Sequence, residues 1–311
     1  MPCDRPQPAS RPRRRLIQAA GGLGLVAVLA TVCSPIALLN RAAPAHTYRL
    51  MTGIAYGGHP RQTLDIYRPA QTRDNGAAPV VVFFYGGAWR EGERGDYLFV
   101  GEALTSRGFV AVLADYRLYP EVRFPGFVED GAAALAWARR HAANFGGDAR
   151  RLFVMGHSAG AHIALMLATD ARYLEAAGMR PQDLAGAIGL AGPYDFLPFR
   201  RASTAEVFDP PARWPLSQPI NFVSGREPPL LLLTGEDDDV VSPGNTTRLA
   251  ARVGELGGKV EVIRYPGEGH RSVIAALSAP LRSSRRVLDD IAGFVARQGS
   301  GATRGPAASR S

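Results

Sequence analysis

A serine between two glycines is the feature of this sequence best suited to carry chemistry. Ser158 is the centre of Gly-His-Ser-Ala-Gly over residues 156–160. The apolar run 152–155 predicts a short buried strand before it, and the helix-forming residues 161–168 predict a helix after it. A strand, a sharp turn and a helix, with the serine at the apex, is the arrangement that exposes a nucleophilic hydroxyl.

The glycines of this turn have a steric role. A serine in so tight a turn needs very small neighbours on both sides, and Gly156 and Gly160 provide them. Because the turn opens a helix, the N–H of Ala159 would face an oxygen that becomes negative during acyl transfer. The motif by itself also fits a glycine-rich turn without chemistry, so other residues must distinguish the two readings.

A serine nucleophile needs a base, and the base needs an acid to orient it. The histidines of the sequence are His46, His59, His141, His157, His162 and His270. Only the last follows a late strand and lies in a loop, Pro-Gly-Glu-Gly at 266–269, that can bend sharply. His157 is next to the serine but points elsewhere across the turn. We therefore predict His270 as the base; the alternative is a solvated loop histidine.

The orienting acid should follow the preceding strand, where residues 236–239 read Glu-Asp-Asp-Asp. Asp238 fits the spacing Gly-x-x-Asp-x-x-Val and is the predicted acid. Asp237 and Asp239 are rivals, and each aspartate could also be a solvated turn residue. A metal site is a further reading of this cluster, but no second carboxylate or histidine pattern supports it. We predict no metal and no cofactor.

The oxygen that becomes negative needs a second donor besides Ala159. Gly86, Gly87 and Ala88 follow the apolar run 79–85 and offer backbone N–H groups with no large side chain in the way. These four residues form the predicted oxyanion hole. The alternative for the loop is a glycine-rich turn with no ligand.

Strands alternate with helices along most of the chain. Apolar runs predict buried strands at 79–85, 109–114, 152–155, 185–191, 229–234 and 260–265. Helices are predicted at 96–107, 127–143, 161–168, 245–256 and 282–296. Two half-exposed antiparallel strands, 48–54 and 63–67, come first. The pattern predicts an α/β fold with a mostly parallel sheet, helices on both faces and the predicted site at the carboxyl ends of the strands.

Residues 196–228 interrupt this alternation. They are rich in Pro, Phe, Trp and Arg without a clear period, and predict a cap-like excursion over a pocket. The folded domain is predicted at 46–297. The Gly/Ser/Ala/Arg composition of residues 298–311 predicts a disordered tail.

The net charge of +8 lies mostly ahead of the predicted domain. Residues 1–45 carry six arginines and one aspartate, which leaves residues 46–311 with a charge of +3. A basic start, an uncharged apolar run at 16–39 and Ala-Pro-Ala at 43–45 predict an export signal. The basic excess is thus a targeting feature, and no nucleic-acid partner is expected.

Three variants of this N-terminal segment compete. Arginines at 13–15 resemble a twin-arginine signal, and the apolar run is long enough for an uncleaved membrane anchor. Cys33 resembles a lipoprotein attachment site, although Val32 is bulky for that pattern. A buried helix of the domain is the remaining alternative. The three variants predict a domain that is periplasmic, secreted or anchored to the membrane. The other cysteine, Cys3, lies in the same segment, so the domain has no disulfide.

The order Ser158, Asp238, His270, with a Gly-Gly-x-Trp loop at 86–89, resembles the α/β-hydrolase superfamily. It is most similar to the carboxylesterase/lipase-like branch, which includes acetylesterase-, feruloyl-esterase- and kynurenine-formamidase-like members. The resemblance covers about residues 48–297.

Two further features concern the surroundings of the site. The branch usually has a histidine directly before the two glycines, and Tyr85 stands in that place here. Since the oxyanion donors are backbone groups, the resemblance implies that they survive while the hydrogen bonding behind the loop differs. The triplet at 115–117 also matches, and the resemblance implies an ion pair between Asp115 and Arg117.

The expected function is hydrolysis of carboxylic esters through an acyl-enzyme, with a small-molecule ester as the partner. Ser158 attacks, His270 transfers the proton and Asp238 orients the imidazole. The alternatives are an amide hydrolase of arylformamidase or peptidase type, and an inactive α/β-hydrolase that serves as a binding module. The acyl and alcohol preferences and the oligomeric state cannot be read from the sequence.

Overall fold

The computed structural model describes Met1 and the ranges 35–71 and 76–301. The predicted export signal ahead of residue 35, including Cys33, lies outside the described residues, and so do residues 302–311 of the predicted tail. Within the described ranges, no helix is long and apolar enough to cross a membrane.

Eight strands of the described chain form one sheet. They are β1 (Tyr48–Ala55), β2 (Thr63–Pro69), β3 (Ala78–Phe84), β4 (Val110–Ala114), β5 (Gly147–His157), β6 (Gly186–Leu190), β7 (Leu230–Gly235) and β8 (Val260–Tyr265). Their order across the sheet is β1-β2-β4-β3-β5-β6-β7-β8. β2 is antiparallel to both of its neighbours, and all other adjacent pairs are parallel. The predicted α/β architecture with antiparallel N-terminal strands is therefore confirmed.

The connections between the strands are largely helical. The helices of the described chain are α1 (Pro35–Arg41), α2 (Leu98–Ser106), α3 (Gly126–His141), α4 (Ala159–Thr169), α5 (Ala171–Ala176), α6 (Ala202–Phe208), α7 (Gly244–Glu255), α8 (His270–Ala275) and α9 (Val287–Gly301). Short 3₁₀ turns lie at Ala45–Thr47, Arg94–Tyr97, Ala142–Phe145, Pro181–Asp183, Pro211–Ser217 and Pro219–Phe222.

The burial of the strands follows their sequences. Every residue of β4, β6 and β7 is buried, as expected of continuous apolar runs in strands covered on both faces. The edge strand β1 instead exposes most of its side chains. Because β3, β5, β7 and β8 run in the same direction, the carboxyl ends of the first three and the loop after β8 lie at one rim of the sheet.

Several element boundaries differ from the predictions. The last helix begins at Val287 instead of residue 282, because the chain forms turns up to that point, with serine hydroxyls bonded to nearby carbonyls. The helix predicted from residue 96 starts with a 3₁₀ turn, and α2 proper begins at Leu98. The short helices α5, α6 and α8 were not predicted, since segments of six or seven residues are too short for a periodic pattern.

The predicted cap, residues 196–228, holds α6 and two of the 3₁₀ turns. It is tied to the rest of the fold by backbone hydrogen bonds. The N–H of Phe124 donates to the carbonyl of Val207 over 2.9 Å, and the N–H of Ile220 donates to that of Tyr194 over 3.2 Å. The excursion thus lies against the chain segments that follow β4 and β6.

The helix α1 docks on the fold ahead of the predicted domain start at residue 46. Ile36 and Leu39 pack against the core. The Asn40 side chain donates to the carbonyl of Gly95 over 3.0 Å and accepts from the N–H of Phe99 over 3.1 Å. The amide of Asn40 thereby caps the first turn of α2, whose N–H groups lack partners within the helix.

Candidate active site

Ser158 occupies the sharp turn between β5 and α4. Its backbone has φ of +55° and ψ of −121°, a strained conformation for a residue with a side chain. A Cβ on Gly156 would overlap the Gly160 carbonyl, and a Cβ on Gly160 would overlap that of Phe84. The N–H of Ser158 donates to the carbonyl of Leu190 over 2.9 Å. The turn therefore lies against β3 through a contact that only glycine permits, and the N–H of Ser158 bonds it to β6.

The structure brings together the three predicted side chains from separate loops. His270 Nε2 lies 2.9 Å from Ser158 Oγ, and His270 Nδ1 lies 2.9 Å from Asp238 Oδ2. Since a carboxylate only accepts hydrogen bonds, Nδ1 carries the ring proton and Nε2 accepts from the serine hydroxyl. The Asp238 side chain is fully buried and the His270 side chain is 9% exposed. The hydrogen bonds thus form one continuous chain from carboxylate to hydroxyl.

The environment of Asp238 keeps this carboxylate charged. Burial raises its pKa, but the hydrogen bond from His270 and those from the N–H groups of Val241 and Val240 outweigh burial, and the net pKa lies below the usual value. The two amide bonds to Oδ1 are 2.8 and 3.0 Å long. The rivals Asp237 and Asp239 are exposed to solvent. Over the described residues, no group of three or more His, Cys, Asp or Glu side chains could hold a metal ion.

The glycine loop after β3 lies directly against the serine. A Cβ on Gly86 would be 3.0 Å from Ser158 Cβ. The next three residues all have positive φ, which is +131° at Gly87, +51° at Ala88 and +59° at Trp89. Two of these three carry side chains, so the conformation must be held by the surrounding structure.

The free donors at the site belong to three of the four predicted residues. Among the described residues, no hydrogen bond uses the N–H of Gly87 or Ala88, and Ala159 opens α4, where an N–H has no partner in the helix. The Gly86 amide instead faces Tyr97: burial raises the pKa of Tyr97 to about 12, and a hydrogen bond from the Gly86 backbone opposes that rise.

The expectation of an ion pair between Asp115 and Arg117 is wrong. The Asp115 carboxylate pairs with Arg94, whose backbone N–H also donates to it over 2.7 Å. Arg117 pairs instead with Asp130 on α3 over 2.7 Å. Asp130 is almost fully buried, and a buried carboxylate requires a cation close by, which Arg117 supplies from the loop after β4.

Two buried histidines beside the serine have structural contacts. His157 Nε2 lies 3.0 Å from the carbonyl of His270, and His162 Nε2 lies 2.8 Å from the carbonyl of Ser217 in the cap. Burial lowers the pKa of His162 to about 4, and burial followed by the charge of His270 lowers the pKa of His157 to about 3. Both rings are therefore neutral donors at ordinary pH, and each ties a loop to the elbow.

Arg61 is the residue of the site region that the sequence did not indicate. Its guanidinium donates to the hydroxyl of Tyr85, the residue that stands where the resembling branch has histidine. Tyr85 signalled that the contacts behind the loop would differ. Its partner could not be found from sequence, since Arg61 lies 24 positions earlier, in the turn between β1 and β2.

An eight-stranded sheet with β2 antiparallel, a strand–serine–helix elbow and an acid and a histidine after the last two strands define the α/β-hydrolase fold. A family model described as BD-FAE matches residues 64–253, and the chain belongs to this family.

Curated relatives share about three tenths of the residues. Isoprenylcysteine alpha-carbonyl methylesterase ICME of Arabidopsis thaliana is 29% identical over 266 residues, which are 78% of this chain and 61% of that protein. Esterase LipC of Mycobacterium tuberculosis is 29% identical over 236 residues, 70% of this chain and 58% of the relative. The chain thus spans about three fifths of the length of these relatives.

Solved esterases share the fold. Esterase B from Lactobacillus rhamnosis, inhibited by a tributyrin phosphonate, superposes with a TM-score of 0.74 at 21% identity, covering 91% of this chain and 98% of the other. Esterase 2 of Thermogutta terrifontis superposes with a TM-score of 0.66 at 21% identity, covering 82% and 97%.

Proposed function

We propose that this protein hydrolyses carboxylic esters through a Ser-His-Asp triad and an acyl-enzyme intermediate. The observation that carries the proposal is the chain of two 2.9 Å contacts that links Asp238 to His270 and His270 to Ser158. Free backbone donors lie beside the serine, at Gly87 and Ala159. Membership of the BD-FAE family and curated relatives named as esterases support the same activity.

In the first half of the reaction, Ser158 Oγ attacks the acyl carbon while His270 Nε2 takes its proton. The carbonyl oxygen becomes an oxyanion, which the N–H groups of Gly87, Ala88 and Ala159 stabilise. When the tetrahedral intermediate collapses, the bond to the leaving alcohol breaks and Nε2 returns the proton to the alcohol oxygen. The acyl group is then bound to Ser158 as an ester.

In the second half, water attacks the acyl-enzyme and gives its proton to His270. Collapse of the second intermediate releases the carboxylic acid, and the proton returns to Ser158 Oγ. Asp238 keeps its charge throughout, because its hydrogen bonds hold its pKa below the usual value. It stabilises the imidazolium that forms in each half of the reaction.

Esters are proposed ahead of amides because of the relatives. The curated relatives cited are named as a methylesterase and an esterase. The leaving group of an ester is an alcohol, which departs more readily than the amine of an amide and depends less on a proton from His270. The intact hydrogen-bond chain to Ser158 speaks against the alternative of an inactive binding module.

The test is hydrolysis of p-nitrophenyl esters of increasing acyl length by the full chain and by Ser158→Ala. We expect turnover in the wild type and a loss of several orders of magnitude in the variant. A fluorophosphonate should also label Ser158 alone, as read by peptide mass spectrometry. Equal rates in both proteins, or hydrolysis of an arylformamide but of no ester, would contradict the proposal.

We also propose that the N-terminal segment exports the domain or anchors it to a membrane. The arginines and apolar run at 1–39 support this assignment. Mass spectrometry of the protein made in an exporting host distinguishes a chain cut near residue 46, a lipidated Cys33 and an intact anchor. A chain that stays intact in the soluble cytoplasmic fraction would contradict all three.

A further inference from the structure

The oxyanion loop, defined here as residues 85–92, is closed at its base by one guanidinium. Arg61 Nη2 lies 2.7 Å from the hydroxyl of Tyr85, where the loop begins, and 2.7 Å from the carbonyl of Gly92, where it ends. Arg61 Nε lies 3.0 Å from the carbonyl of Tyr116, just after β4. A single side chain therefore connects both ends of the loop to the neighbouring strand.

The base of the loop is closely packed. A Cβ on Gly92 would be 2.9 Å from the ring of Tyr85 and 3.0 Å from the carbonyl of Gly86. The hydroxyl of Tyr116 donates to the carbonyl of Tyr85 over 2.9 Å, and the two rings stack with centroids 4.7 Å apart. Arg61 thus completes a packed layer in which each end of the loop contacts the other.

The three oxygens bound by Arg61 are neutral. No carboxylate pairs with Arg61 among the described residues, whereas Arg94 and Arg117 pair with aspartates. A guanidinium provides several N–H groups in one plane at fixed angles, which an ammonium group cannot reproduce. The geometry therefore depends on the shape of the arginine side chain as well as on its charge.

The segment that Arg61 closes holds the strained backbone of Gly87, Ala88 and Trp89. Backbone in this region of φ costs free energy and persists only where its surroundings fix it. If the base of the loop opened, this segment would relax, and the N–H groups of Gly87 and Ala88 would turn away from Ser158.

We propose that Arg61, acting through Tyr85 and Gly92, is the positioning residue of the oxyanion hole. The proposal rests on the ester hydrolysis proposed above and adds a second requirement to it. Arg61 does not touch the substrate. It holds the donors in the place where the oxyanion forms, so its loss should reduce kcat and leave substrate binding nearly unchanged.

The experiment compares Arg61→Met, Arg61→Lys and Tyr85→Phe with wild type on one p-nitrophenyl ester. We expect kcat to fall by about 10- to 100-fold in Arg61→Met, with KM changed by less than about threefold. Arg61→Lys should recover little of the loss, and Tyr85→Phe, which removes one of the three acceptors, should show a smaller decrease. Arg49→Met on β1, an exposed arginine, is the matched control and should retain wild-type kcat.

Two readouts separate positioning from general damage. Added guanidinium ion at millimolar concentration should restore part of kcat in Arg61→Ala, which leaves room for the ion, and none in Ser158→Ala. The pH profile of kcat/KM should keep the wild-type inflection, because the triad is intact. Unchanged kcat in a folded Arg61→Met would overturn the proposal. So would a loss of kcat/KM that comes only from a higher KM.

Failure of the two proposals can be told apart. A wild-type chain without Ser158-dependent hydrolysis overturns both. Ser158-dependent hydrolysis with full activity in Arg61→Met overturns only the role of Arg61. If Arg61→Met does not fold, Tyr85→Phe decides: wild-type kcat in that variant, which keeps the tyrosine ring, contradicts the proposal.

Discussion

The two sides of Ser158 are built in different ways. On one side, Asp238 and His270 follow neighbouring strands and bond directly to each other, and His270 bonds to the serine. On the other side, the oxyanion loop offers only backbone N–H groups, in a strained conformation. Its shape is held by backbone hydrogen bonds from Arg90 and Glu91 to the Gly87 carbonyl and by side chains from elsewhere, including Arg61.

The difference shows how each side depends on its surroundings. In the triad, the residues that perform the chemistry also fix one another, and the buried carboxylate is satisfied by Val240 and Val241 of its own loop. In the oxyanion loop, part of the support comes from residues outside the loop, such as Arg61 and Tyr116. The cap also contacts the oxyanion loop, because the rings of Trp89 and Phe208 pack with their centroids 4.8 Å apart.

The largest effect is expected from the acid of the triad. Asp238→Asn should reduce kcat by about 10⁴-fold without loss of folding, because the amide favours the wrong tautomer of His270. Asp237→Asn, one position earlier and exposed, is the control and should stay within about twofold of wild type. Similar losses in both variants would mean that the two-contact chain does not carry the reaction. The measurement is steady-state ester hydrolysis with circular dichroism of each variant.

A methyl group in the oxyanion loop should have the next largest effect. In Gly87→Ala the new Cβ would overlap the Glu91 carbonyl, and φ of +131° is unfavourable for alanine. The donors must then move, and we expect kcat to fall by about 10²- to 10³-fold. Gly254→Ala on α7, where a Cβ meets nothing within 4 Å, should keep full activity. Wild-type kcat in Gly87→Ala would remove this loop from the mechanism.

Acid should lower the free energy of unfolding of the protein, because the buried histidines beside Ser158 must then be protonated. His162 has its pKa lowered by burial to about 4, against 6.5 in the ordinary state. Between these values the unfolded chain binds more protons than the folded one. The free energy of unfolding therefore falls as pH drops below about 6.5, by about 1.4 kcal/mol per pH unit for each such histidine, and the loss is complete below the folded pKa.

The variant that tests this is His162→Gln, which can still donate to the carbonyl of Ser217. Urea unfolding between pH 7 and pH 5 should give a slope of stability against pH that is about 1.4 kcal/mol per unit smaller than in wild type. His157 keeps its own contribution in both proteins, since burial and the charge of His270 lower its pKa to about 3. Parallel curves for the two proteins would show that His162 titrates normally.

The smallest effect is expected where the oxyanion loop meets the cap on the surface. Arg90 pairs with Glu206 of α6 and also donates to the carbonyl of Ser203 over 3.0 Å. Glu206→Gln removes only the ion pair, whose side chains are 33% and 49% exposed. Stability should drop by no more than about 1 kcal/mol, with kcat within about twofold. A tenfold lower kcat would give the cap a direct part in holding the oxyanion loop.

The sequence pattern was sufficient for most of the fold. Continuous apolar runs such as 79–85 and 229–234 predicted the central strands, because a strand covered on both faces has to be apolar throughout. The prediction failed where structure is held by contacts instead of periodicity. The short helix α8, which begins at His270, and the late start of α9 at Val287 are examples.

The partners of charged side chains were the least predictable part. Asp115 and Arg117 are two positions apart, yet each pairs with a residue that only the folding of the chain brings near, Arg94 and Asp130. The family resemblance implied a pair between these two near neighbours. In the folded protein the pairing differs, because a buried carboxylate pairs with a cation that the surrounding elements bring close to it.

The sequence by itself determined the elbow, the order of the chemical residues and the alternation that places them at one rim, since these follow from residue types and local spacing. Only the tertiary structure decided that Asp238 is the buried aspartate while its neighbours are exposed, and that Arg61 closes the oxyanion loop. The reason is that burial and long-range hydrogen bonds are properties of packed elements. No short stretch of sequence specifies which distant groups will pack together.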